Sequence, residues 1–112
     1  MITSTRAVTS DMTLKIVRAL RRGALRFNEI DRAVHARYHP VLSDRLKKMA
    51  RDGLIERRVI HLGPPAHVEY SLTPLGAGLA EAASPLVEWT EKNANQVEAA
   101  RQYHQALAAR SA

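Results

Sequence analysis

The stretch "HPVLSDRLKKMARDGL", His39 to Leu54, decides the fold. Leu42, Leu46 and Met49 recur at helical spacing, and Gly53 supplies a left-handed stop. The segment therefore reads as a helix over Pro40–Asp52, with Pro40 at its first position. At about 100° per residue, the positions opposite the apolar stripe are Pro40, Val41, Asp44, Lys47, Lys48 and Arg51, with Ser43 and Arg45 on the flanks. The stripe must pack on something, which leaves the charged side for water or for a polyanion. An ordinary wet face with an i, i+4 pair between Asp44 and Lys48 is the simplest alternative.

The flanking sequence says what the stripe packs on. Upstream, Ser10 caps a first helix with Asp11 in its first turn. Met12, Ile16 and Leu20 form one apolar row and Leu14, Val17 and Leu20 another. Arg18, Arg21 and Arg22 gather at the end, and Gly23 stops the helix. "ALRF" is a short extended piece. Asn28 is expected to cap a second helix with Ile30, Ala33 and Val34 facing inward, and "HARYH" connects it to the third.

Downstream, "LIERRVIHL" reads as a strand and "GPPA" as a turn. "HVEYSL" alternates Val68, Tyr70 and Leu72 with His67, Glu69 and Ser71, so the two strands form a projecting hairpin. Thr73 caps another helix with Pro74 at its first position. Ser84-Pro85 is expected to break or kink that helix. From Leu86 to Ala109 the pattern is helical again, with Trp89, Val97, Ala100 and Leu107 on one loosely apolar side.

This order of elements is a winged helix-turn-helix, mainly α with a small β-hairpin. Residues 1–84 make the DNA-binding domain, with the recognition helix at about 40–52 and the wing at about 55–72. Residues 85–112 form a C-terminal helical segment of the same domain, expected to serve dimerisation. The 112-residue length suits one domain. The chain has no cysteine, which excludes disulfides, thiolate catalysis and Cys-type zinc sites. No run approaches the roughly 20 apolar residues of a membrane span. The N-terminus lacks the apolar core of a secretory signal, so a cytoplasmic location is expected.

Charge is unevenly placed. Residues 1–60 hold 14 Lys+Arg against 6 Asp+Glu, whereas residues 61–112 hold 3 against 5, for a formal net charge of +6. A basic half joined to a mildly acidic one suggests a surface for a polyanion and a separate region for something else. A recognition helix places short polar residues where they reach base edges and cations where they reach phosphates. Ser43, Asp44 and Lys47 are the candidate base-facing residues, Asp44 as an acceptor for a cytosine amino group. Lys48, Arg51, Arg57 and Arg58 are the candidate phosphate contacts, supported by Arg26 and Arg45, and His39 and His67 complete the candidate DNA-binding set. His61 and His67 flank the wing's turn, where cations enter or border the minor groove.

The segments "LRFNEIDRAV", "VLSDRLKKMARDGLIERR" and "PPAHVEYSLTPLGAGL", followed by Trp89, resemble the HxlR family of bacterial winged helix-turn-helix transcriptional regulators. The similarity spans roughly residues 12–90, with the MarR- and PadR-type regulators as more distant relatives of the same architecture. The resemblance implies a homodimer on a palindromic or near-palindromic operator, joined through the terminal helices, for which Leu86, Trp89 and Val97 are the candidate contacts. Several positions depart from the family pattern. Tyr38 stands where a capping serine is usual, so His39 is expected to cap the recognition helix instead. The wing's usual "PPRVEY" is "PPAHVEY", which puts His67 in place of an arginine. Met12 occupies a common tryptophan position, the redox-sensing cysteine is absent, and the short N-terminal arm shifts dimer contact toward the helix from Leu86.

Other functions fit the residues less well. Among five histidines, only His35 and His39 have helix-ligand spacing, and they straddle the end of a helix and a loop, so neither a metal nor a cofactor is expected. No phosphate loop, nucleophile elbow or paired-carboxylate motif points to an enzyme. The competing function is a winged-helix scaffold that binds protein rather than DNA, which would have no need of cations on both helix and wing. A small-molecule effector would sit in a cleft between the terminal helices and the core, and no residue of the sequence marks it.

Overall fold

The computed structural model describes residues 10–35 and 39–111. The N-terminal arm and Tyr38 lie outside them. Helix α1, Asp11–Ala19, starts at Ser10, whose hydroxyl accepts the Thr13 N–H at 3.3 Å. A 3-10 turn, Leu20–Arg22, carries it to Gly23. Ile16, Val17 and Leu20 are buried, with Met12 and Leu14 packed at the rim.

Helix α2, Phe27–Val34, begins earlier than Asn28 would allow. Arg26 takes the cap position because the Glu29 carboxylate reaches back to accept its N–H at 2.8 Å. That draws Phe27 into the first turn and makes Phe27, Ile30 and Val34 the inward row, while Ala33 faces solvent. Helix α3, His39–Arg51, starts and ends one residue before the expected limits. His39 is its first helical residue rather than its cap. Past its end, the Leu54 N–H bonds the Met49 carbonyl at 2.9 Å and the Gly53 N–H bonds that of Ala50 at 3.1 Å, with Gly53 at φ +80°. This Schellman geometry is why a glycine is needed there.

Strands β1, Ile55–His61, and β2, His67–Leu72, pair antiparallel, with Leu54 and Leu62 falling outside β1. Ile55 faces Leu72, Arg57 faces Tyr70 and Val59 faces Val68, before an irregularity between Val59 and His61. Leu25 exchanges backbone hydrogen bonds of 3.0 and 2.8 Å with Tyr70, so "ALRF" adds a one-residue third strand beside β2.

Helix α4 runs unbroken over Pro74–Ser111, 38 residues. Thr73 caps it, its hydroxyl accepting the Gly76 N–H at 3.1 Å. The expected break at Ser84-Pro85 does not occur. Proline removes the one donor that would reach the Glu81 carbonyl, yet Ala80, Ala83, Ser84 and Val87 around it are buried where α4 packs on α1, and that contact holds the helix together. The Ser84 hydroxyl bonds the Ala80 carbonyl at 2.6 Å, and Pro85 itself points to solvent. No residue of α4 beyond Val87 is buried, so its far end projects and stretches the molecule to 62 Å. Among the described residues, no helix is long and apolar enough to cross a membrane.

The core is one cluster. Leu42, Leu46 and Met49 of α3, each no more than 2% exposed, meet Ile16 and Val17 of α1 and Ile30 of α2. Leu54 and Ile55 close it from the wing side. Gly76 lets α4 approach: a Cβ there would stand 1.9 Å from the Leu54 carbonyl oxygen, whereas at Gly78 it would meet nothing within 4 Å. Gly76→Ala should therefore destabilise the fold by about 1–3 kcal/mol, as overpacking does. Gly78→Ala should stabilise it by up to about 1 kcal/mol through helix propensity. Thermal and urea unfolding of the two variants checks the pair, and equal effects would sink the assignment of Gly76 as the contact point.

Candidate nucleic-acid interface

With the stripe of α3 in the core, its other side is fixed by geometry. Pro40, Val41, Asp44, Lys47, Lys48 and Arg51 are all exposed, and Ser43 and Arg45 are half-buried at the flanks, as helical spacing predicts. The charges are not all idle. Asp44 Oδ2 lies 3.0 Å from Lys48 Nζ, and the Arg51 Nε–H bonds Asp52 Oδ1 at 3.2 Å. Among the described residues, Lys47 and Arg45 have no acidic partner within ion-pair distance. The hydrogen bond from Lys48, aided by the nearby charges of Arg45 and Lys47, holds the Asp44 carboxyl below its ordinary value.

His39 ties the two helices of the helix-turn-helix together. Its Nε2 is 2.8 Å from Asp31 Oδ2 on α2, and its ring meets Phe27 edge-on at 5.6 Å. The first residue of α3 is thus locked to α2 on both its polar and apolar sides. His35, at the end of α2, takes the left-handed conformation with φ 53°. The described residues bring no group of three or more His, Asp or Glu together in a metal-binding arrangement.

On the wing, Arg57 and Arg58 are both exposed, but they are neighbours in a strand and point to opposite faces. Arg57 shares its face with Ile55 and Tyr70, and Arg58 shares its face with Glu69. His67 does not reach out from the tip. Its Nε2 lies 2.9 Å from Glu69 Oε2 and its Nδ1 lies 2.8 Å from Arg26 Nη2. The Arg26 Nε–H also donates to Nε2 at 3.0 Å, so the guanidinium spans both ring nitrogens. Arg26, at the cap of α2, is thereby fastened to the first residue of β2.

A helix-turn-helix followed by a two-stranded wing, with a basic exposed face on its second helix, matches known proteins at the level of sequence and of fold. The sequence pattern of HxlR-like helix-turn-helix proteins fits residues 8–98. The chain belongs to this family. HxlR-type proteins are winged helix-turn-helix transcriptional regulators. The uncharacterized HTH-type transcriptional regulator YtfH of Escherichia coli K12 is 38% identical over 94 residues, covering 84% of this chain and 74% of that one. The solved structure of the ytfH protein of Salmonella typhimurium has a TM-score of 0.75 at 36% identity, over 87% of this chain and 86% of that one. The redox regulator HypR in its reduced form has a TM-score of 0.69 at 30% identity, over 83% and 91%.

Within this HxlR-type frame, the projecting part of α4 carries a clear seam. Leu86, Trp89, Val97, Ala100 and Leu107 fall within about 80° of arc at 100° per residue. All five are exposed, and Trp89 is 57% exposed, so it is not a core residue of the single chain. The reading from sequence missed the apolar wing tip. Leu62 is 85% exposed, and Val59 and Ile60 are exposed below it. The signal was present in "VIHL": Val59 and Ile60 are adjacent in a strand, so they cannot both face the body.

The Asp44–Lys48 pair has a measurable consequence. A carboxyl whose folded pKa is depressed adds stability above its ordinary pKa and loses it as pH falls through the lowered one. Lys48→Ala should return the Asp44 titration, followed by carboxyl-carbon NMR, toward the ordinary carboxylate value. A titration unmoved by the substitution would mean that Lys48 is not its cause.

Proposed function

We propose that this protein is a cytoplasmic homodimeric regulator that binds a specific, palindromic or near-palindromic DNA operator through α3 and the wing. The observation that carries this reading is the exposed face of α3, where Asp44, Lys47, Lys48 and Arg51 lie side by side. Helix α3 enters the major groove with Ser43, Asp44 and Lys47 toward base edges. Lys48 and Arg51 meet phosphates, with Arg45 at the flank. Arg57 and Arg58, on opposite faces of the wing, reach different stretches of backbone rather than one phosphate run. His39, Arg26 and His67 act from behind, by setting the pitch of α3 and of the wing.

Dimerisation runs along α4 in residues 85–112, through Leu86, Trp89 and Val97. A helical stretch with nothing buried beyond Val87 is marginal in water by itself, and a second copy laid on the same seam supplies the missing contact. Two recognition helices would then sit roughly 34 Å apart, one turn of B-DNA. Cations kept on both α3 and the wing argue against a protein-only scaffold.

Lys48→Ala should weaken binding to all sequences about equally and lower the slope of log K against log salt by about one. Fluorescence anisotropy on labelled DNA from upstream of the protein's own gene, across a salt series, reads both effects. Asp44→Ala should instead relax base preference at one operator position. An unchanged preference profile would assign Asp44 to holding Lys48 alone. Trp89→Glu should shift the protein from dimer to monomer in sedimentation velocity, and a dimer that persists would move the interface away from this seam.

A further inference from the structure

Behind the DNA-binding face, a cavity of about 610 Å³ opens between α1, the end of α2 and α4. Its walls divide in two. Arg18, Arg21 and Arg22 stand on one side and bring the cationic end of α1 to its mouth, while Ala33 and Val34 of α2 give an apolar wall. Glu91 of α4 also lines it and is ion-paired with Arg18. Among the described residues, Arg21 and Arg22 have no carboxylate partner. Cations at a helix C-terminus complement the helix dipole wherever they point. That alone does not place them around a concave space with an apolar floor.

We propose that this cavity binds a small amphipathic organic anion, with its carboxylate on Arg21 and Arg22 and its apolar body against Ala33 and Val34. The volume falls within the about 300–1,000 Å³ usual for small-molecule sites, and in its lining Lys15, Arg18, Arg21 and Arg22 outnumber Glu88 and Glu91, which favours an anion. Guanidinium groups grip a planar carboxylate through paired N–H donors, which favours an organic acid over a neutral ring of equal size. The site spans a joint. A bound anion competes with Glu91 for Arg18 and so acts on the one ion pair between α1 and α4 among the described residues. The proposal concerns binding at this cavity and does not depend on the DNA reading.

The probe is 1-naphthoate, with neutral 1-naphthamide and inorganic phosphate as controls, titrated into the isotope-labelled full chain without DNA. Backbone NMR shifts locate the site and calorimetry gives its affinity. Saturable binding of naphthoate at millimolar or lower concentrations is expected, with shifts centred on residues 18–22 and 33–35. Naphthamide and phosphate should each bind at least about tenfold more weakly, since each lacks one half of the recognition. The Arg21→Gln/Arg22→Gln double variant should lose about tenfold or more in naphthoate affinity while melting at an unchanged temperature. Glu91→Gln, which frees Arg18, should tighten it. The proposal is overturned if naphthoate does not saturate, if the shifts centre on α3 or the wing, if naphthamide binds equally well, or if the double variant retains full affinity.

Discussion

The exposed face of α3 is set by three side chains on the inside of this protein. Leu42, Leu46 and Met49 bury one stripe of α3 against Ile16, Val17 and Ile30. Burying each side chain is worth about 1.5–3 kcal/mol, so rotating α3 by even one residue position would forfeit several kcal/mol. The helix has no such freedom. The identity of its exposed residues therefore follows from the stripe, and the chemistry offered to a polyanion is a by-product of hydrophobic packing.

Secondary contacts convert that rotational lock into a positional one. His39 fixes the start of α3 to Asp31 and Phe27, and the Schellman turn at Gly53 fixes its end and launches β1. Leu25 grips β2 by backbone, and Arg26 grips it through His67. Residues 25 and 26, where the chain passes from α1 to α2, thus hold β2 at two points, while Phe27 and Asp31 just beyond them hold α3. His39 and His67 each join two segments distant in sequence, His39 to Asp31 and His67 to Arg26.

The fold was legible because its signals are local and periodic. The 3.6-residue stripe of α3, the alternation in "HVEYSL" and the stop signals at Gly23 and Gly53 each depend only on near neighbours. What was not legible depends on partners distant in sequence or on competition between them. Asn28 lost the cap to Arg26 because Glu29 was within reach of the earlier N–H. Pro85 failed to end α4 because burial against α1, far away in sequence, outweighs one missing hydrogen bond. At the candidate interface the exposed residues could be read directly from periodicity. The engagement of Arg26 with His67, and the convergence of Arg21 and Arg22 with Val34 around a cavity, could not, since each joins separate elements.

The continuity of α4 has a mechanical side. At about 1.5 Å per residue, its 38 residues make a rod of roughly 57 Å, clamped at one end and free at the other. The clamp stops near Val87, and Pro85 omits a backbone bond just before the rod leaves the body. Bending resistance is therefore lowest at that fulcrum. A tilt of about 5° there would displace the far tip by about 3 Å, given the roughly 36 Å from Val87 to Ser111. A lever of this kind amplifies: a sub-ångström adjustment at the seat becomes a movement of atomic dimensions at the tip.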